Sequence, residues 1–102
     1  MALILTGRNF TAQEAVEMGL ALKTVPKEKL LNEAKALAHE VAAMSKPVLR
    51  MAKEAVLGAY EGPLTQQMQL ERRLWHSTFA LADQKEGMQA FVNKRRPEWQ
   101  HK

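Results

Sequence analysis

LLNEAKALAHEVAAMSKPVLRMAKEAV, residues 30–56, is the stretch whose reading decides the fold class. Leu30, Leu31, Ala34, Leu37, Ala38, Val41 and Met44 recur at spacings of three and four, with Lys and Glu between them. That is one apolar and one charged face of a helix. Ser45, Lys46 and Pro47 interrupt the period, because the residue before a proline is pushed out of helical geometry. Val48, Leu49, Met51, Ala52, Val56, Leu57 and Tyr60 restart it as a second helix that runs out into Gly62 and Pro63.

Working upstream, TGRNFTAQEAVEMGL (residues 6–20) places Glu14 three residues after Thr11, the spacing of a capping box, so a helix starts near Ala12. Gly19 can take the left-handed conformation that ends it, after about two turns. ALKTVP (residues 21–26) alternates apolar and polar side chains and stops at proline, which fits a short strand or an extended connector. Downstream, Pro63 suits the first turn of a helix carrying Leu64, Met68, Leu74, Trp75, Phe79 and Leu81. A last helix opens in DQKEGMQAFVNKRRPEW (residues 83–99), where Asp83 and Glu86 read as another capping box and Met88, Phe91 and Val92 as its apolar stripe. The expectation is a mainly all-α chain of about five helices, with at most one short strand near residues 21–26.

With 102 residues the chain is one small domain at most. Its 46% hydrophobic and 25% charged residues are ordinary for a globular chain and exclude a disordered tail. Without cysteine there is no disulfide, no thiolate nucleophile and no cysteine-based metal site. The longest apolar run, Met1 to Leu5, falls far short of the roughly 20 residues that cross a bilayer, so no membrane partner is expected. The net charge of +4 comes from 15 basic and 11 acidic side chains spread along the chain. Only Lys94 to Arg96 cluster, which argues against a nucleic-acid partner.

A self-sufficient active site is not legible. His39 and Glu40 begin an HExxH pattern, but Ala43 stands where the second histidine would be, so no metal site is expected. Glu14 and Glu17 lie three apart, yet Glu14 is already explained by capping. Ser45 and Ser77 have no neighbouring histidine and acid to activate them.

Taken in order, ILTGRNFTAQEAVEMGL, KTVP, the two helices of residues 30–56, LERRLWHSTFAL and DQKEGMQAFVNKRRPEW resemble the C-terminal third of an enoyl-CoA hydratase of the crotonase superfamily. The most specific pieces are LTG followed by A-x-E-A-x-x-x-G-L, and the KEGMxAFxxKRxP ending. The resemblance covers essentially the whole chain. It implies that residues 1–102 are a single helical segment of a crotonase-like fold, its trimerisation region, with the N-terminal catalytic core absent. It also implies a parent enzyme that hydrates 2-enoyl-CoA thioesters in metabolism of the β-oxidation type. In that family two glutamates and an oxyanion hole do the chemistry. Both belong to the N-terminal core, so no catalytic residue is assigned here and the chain is expected to be inactive alone.

The same resemblance makes Phe91 and Lys94 the CoA-contacting positions, an aromatic face for adenine and an ammonium for phosphate. Leu74, Trp75 and Phe79 become lining for the acyl pocket, against the alternative of an ordinary buried helix face; for Phe91 the alternative is a core side chain. Arg95 and Arg96 read as solvated charges. The CoA thioester is a substrate and no cofactor is implied. A homo-oligomer, trimer-based as in the family, is the implied assembly. The implied compartment is the cytoplasm of a bacterium or the mitochondrial matrix of a eukaryote, without secretion. Two other functions compete: a stand-alone helical self-assembly module, and a fragment of another crotonase-superfamily enzyme such as an enoyl-CoA isomerase.

Overall fold

The computed structural model describes residues 1–102 as α-helices joined by turns, with no strand. In chain order they are α1 (Ala2–Thr6), α2 (Ala12–Glu17), α3 (Leu30–Ala42), α4 (Lys46–Gly58), α5 (Leu64–Thr78) and α6 (Ala82–Val92), with a single 3₁₀ turn at Lys27–Lys29. Two compact units divide the chain, Met1–Leu37 and Ala38–Lys102.

In the first unit α1 was not foreseen, because five residues are too few for a periodic pattern to register. Gly7 closes it at φ 62°, and its N–H bonds to the Leu3 carbonyl. The capping box of α2 forms as expected: the Glu14 N–H donates to Thr11 Oγ1 (3.2 Å) and the Thr11 N–H donates to Glu14 Oε2 (2.8 Å). At its other end Gly19, at φ 75°, lets the Leu20 N–H reach the Ala15 carbonyl (2.8 Å) and the Gly19 N–H reach Val16 (3.0 Å). This is a Schellman closure. Residues 21–26 form a connector and not a strand, since no second strand lies beside them; Lys23 is instead tied to Glu33 by an ion pair.

In the second unit α4 and α5 are the helices in broad contact. Pro47 lies in the first turn of α4, where its missing N–H costs nothing. Pro63 stands at the N-cap of α5 and not within its first turn. Gly58, the last residue of α4, packs directly against α5. A Cβ there would lie 2.6 Å from Gln67 Oε1 and 3.0 Å from Leu70 Cδ2.

The second expected capping box does not form. The N-cap of α6 is Leu81, so Asp83 already stands inside the first turn, and its side chain turns away from the helix. Asp83 Oδ1 accepts from the Gln100 N–H (2.7 Å), while the His101 N–H reaches both carboxylate oxygens. Glu86 accepts from the Glu98 N–H (2.8 Å) and forms a two-pronged ion pair with Arg95. Arg95 is therefore a paired charge, correcting the expectation that it is merely solvated, whereas Arg96 is exposed.

The interior is small in residues: Ala15 and Ala90 are the buried apolar side chains, and Ser45 and Asp83 the buried polar ones. The chain exposes 8976 Å². Even two separate compact bodies of these sizes would together expose only about 7,000 Å². The apolar stripes of α3, α5 and α6 thus remain largely uncovered, with Leu31, Leu64 and Val92 each well over half exposed.

Candidate acyl groove and CoA-contact end

α4, α5, α6 and the C-terminal residues of the second unit enclose an apolar groove of about 1050 Å³. Leu74, Trp75 and Phe79 all line it, as the helical spacing of that face requires. The rings of Trp75 and Phe79 meet edge to face, with centroids 5.9 Å apart and planes at 76°. This is the favourable arrangement of two ring quadrupoles. Trp75 is 63% exposed and Phe79 51%, so within this chain they are a groove surface and not core. α4 supplies the facing wall through Val48, Leu49, Ala52 and Ala55.

Trp99 also lines the groove, and the sequence reading assigned it no role. Its ring lies against Gly87: a Cβ at that position would stand 3.1 Å from Cη2 and 3.3 Å from Cζ3. The available signal was Gly87 itself, a residue costing about 1 kcal/mol in a helix interior unless something must approach closely.

Phe91 and Lys94 sit at the C-terminal end of α6, and neither lines the groove. Phe91 is 81% exposed, which excludes a core role within this chain. Lys94 has φ 51°, in the left-handed region. Its N–H donates to the Phe91 carbonyl (3.2 Å) and the Arg95 N–H donates to the Ala90 carbonyl (3.0 Å). The helix therefore ends in the same closure as α2, but a lysine occupies the position that Gly19 fills there. A side chain in that conformation costs roughly 1 kcal/mol, the kind of strain that collects at functional positions.

The electrostatics of this end are set by its two carboxylates. The Arg95 guanidinium, helped by the Glu98 amide, holds the Glu86 carboxyl down at about 2. Burial pushes the Asp83 carboxyl up, but the Ser45 hydroxyl, then the Gln100 and His101 amides, together outweigh it and hold the group below its ordinary value. The Ser45 hydroxyl, the largest of these three influences, lies beside the carboxylate without strict hydrogen-bond geometry. In the first unit the Thr11 amide, then Arg8 at 3.0 Å, lower Glu14. Glu17 accepts only from Gln13 Nε2 (3.4 Å), so the two carboxylates of α2 do not form a catalytic pair. No group of three or more His, Cys, Asp or Glu side chains gathers into a metal-binding arrangement, around His39 and Glu40 or elsewhere. No helix is long and apolar enough to cross a membrane.

The family model described as Enoyl-CoA hydratase/isomerase matches residues 1–102. The chain belongs to that family. Among curated relatives, the "Probable enoyl-CoA hydratase, mitochondrial" of Dictyostelium discoideum is 52% identical over 102 residues, covering 100% of this chain and 37% of the relative. The "Enoyl-CoA hydratase, mitochondrial" of Pongo abelii is 46% identical over 96 residues, covering 94% of this chain and 33% of the relative. Among solved structures, an enoyl-CoA hydratase from Bacillus anthracis superposes with a TM-score of 0.92 at 35% identity, covering 99% of this chain and 39% of that one. One from Geobacillus kaustophilus gives 0.91 at 42%, with 95% and 38% covered. The chain thus spans well under half the length of these enoyl-CoA hydratases, and its helices match the helical C-terminal part of the crotonase fold.

Proposed function

We propose that residues 1–102 serve as the helical C-terminal segment of an enoyl-CoA hydratase, contributing assembly and CoA contact to an enzyme that hydrates 2-enoyl-CoA thioesters. The observation that carries this reading is the match over the whole chain to relatives of which it spans only 33–37%. The uncovered apolar stripes support it, because a segment that belongs against a larger body leaves the face meant for that body bare. The two glutamates and the oxyanion hole of such an enzyme lie outside these helices. The thioester is the substrate and no cofactor is called for. The expected assembly is the family's trimer-based oligomer, in the cytoplasm of a bacterium or the mitochondrial matrix of a eukaryote.

The purified 102-residue chain, mixed with crotonyl-CoA, is expected to remove the conjugated thioester absorbance no faster than buffer does. Turnover above buffer would mean that a carboxylate among these residues performs the hydration, and would overturn the reading.

Lys94 is the position at which contact with CoA separates from structure. Lys94→Gly relieves the left-handed strain and is expected to raise stability by about 0.5–1 kcal/mol. It also deletes the ammonium that meets a phosphate, so affinity for CoA esters should fall about tenfold, the lower end for a hydrogen bond to a charged group. Thermal melts and titration calorimetry on one variant read both. An unchanged affinity would remove Lys94 from the CoA site.

A second reading, a self-assembly module, draws on the same exposed stripes. Sedimentation of the chain decides it: a stable monomer counts against it.

A further inference from the structure

Asp83 is 1% exposed and is the largest fully buried side chain, and every hydrogen bond of good geometry that its carboxylate accepts comes from the chain's last residues. A buried carboxylate persists only where such bonds replace water. The Asp83 N–H donates back to the Lys102 carbonyl (3.2 Å), and the Lys46 N–H, at the start of α4, donates to His101 Nδ1 (3.4 Å). Glu86 grips the same segment one turn on through the Glu98 amide (2.8 Å). Residues 97–102 are thus a strap drawn across α6 and fastened at both ends. Between the fastenings stands Trp99, its ring on Gly87 and its surface facing the groove that Trp75 and Phe79 also line.

We infer that Trp99, held by the strap that Asp83 pins, forms one wall of the acyl groove and sets the acyl-chain length it accepts. The inference rests on the acyl-CoA reading above and commits the groove to one occupant, the hydrocarbon chain of a thioester. A volume of about 1050 Å³ walled mainly by apolar side chains, with Glu71 and Arg72 among its few charged ones, suits an alkyl chain. The other walls belong to helices, fixed by their own backbone hydrogen bonds. The Trp99 wall is fixed only by the strap, which makes Asp83 a positioning residue and Trp99 a specificity residue.

The test titrates the 102-residue chain and its variants with acetyl-CoA and octanoyl-CoA by calorimetry, helicity being checked by circular dichroism. Trp99→Ala is expected to weaken octanoyl-CoA about tenfold and leave acetyl-CoA unchanged. Trp99→Phe should fall between, which keeps the test open if the alanine variant loses its fold. Asp83→Ala should reproduce the octanoyl-specific loss, with Asp83→Asn, which keeps an acceptor, milder. In a Trp75→Phe background, where Trp99 is the remaining indole, Asp83→Ala should also shift its emission to the red. Unchanged octanoyl-CoA binding by Trp99→Ala, or an equal loss for both thioesters, overturns the inference and leaves the acyl-CoA reading standing. Failure of the unsubstituted chain to bind either thioester overturns the inference, while the segment reading stands or falls with the hydration assay above.

Discussion

Gly58→Leu is expected to destabilise the second unit by about 3 kcal/mol, the upper range for forcing side-chain volume into a closed contact. The reason is local. α4 and α5 meet at this residue, and even the first carbon of a side chain would lie 2.6 Å from Gln67 Oε1 and 3.0 Å from Leu70 Cδ2. Gly58→Ala separates the two opposing effects. The Gln67 amide is the far end of a flexible chain and can swing aside, Leu70 has to yield only a few tenths of an ångström, and alanine brings up to about 1 kcal/mol of helix propensity. Alanine is therefore expected to be near neutral. Leucine has no such escape, because its further carbons enter the space that Leu70 occupies. A melting temperature roughly 15 °C lower for leucine, with alanine within a few degrees of the parent, is the expected pair of results for a unit this small. Equal melting of all three proteins would show that α4 and α5 do not rely on this contact.

Acid is expected to unfasten the strap while leaving most of the helix content in place. Glu86 is held at about 2, against 4.5 when unperturbed, and Asp83 is also held below its ordinary value. A carboxyl lowered in the folded state contributes stability that is fully present above its unfolded value and is lost as pH falls through the folded one. The window therefore runs from about pH 4.5 down to about 2. Across it the Arg95 pair and the amides of Glu98, Gln100 and His101 lose their charged acceptors. Amide exchange at those three residues should become fast in this window, while the interior amides of α5 keep their protection. Glu86→Gln should flatten the part of the transition that belongs to Glu98 and Arg95. Retained protection of all three amides at pH 2 would rule the mechanism out.

The helices were legible because their information is local. Leu30 to Met44 and Val48 to Tyr60 carry their period in adjacent turns, and Thr11 with Glu14 carries a cap within four residues. The same four-residue spacing misled at Asp83 and Glu86. There the carboxylates are used by a segment 12 to 18 residues further on, a tertiary choice that no local pattern records. The groove trio could be read for a related reason: Leu74, Trp75 and Phe79 share one helix face. Trp99 reaches the same groove from an irregular segment beyond Pro97, where periodicity says nothing. Lys94 was singled out by the resemblance to the hydratases. That its backbone is left-handed could not be anticipated, since the position ordinarily selects glycine.

The bare stripes of α3, α5 and α6 also make the stability of this chain a property of its surroundings. Whatever binds the folded form over those faces, and not the unfolded chain, adds RT ln(1 + [L]/Kd), so each tenfold rise in a saturating partner adds about 1.4 kcal/mol. The population of folded chain in a cell is then governed by mass action with the body that covers it. A shortage of that body would deplete this segment through unfolding and turnover without any change in its own sequence.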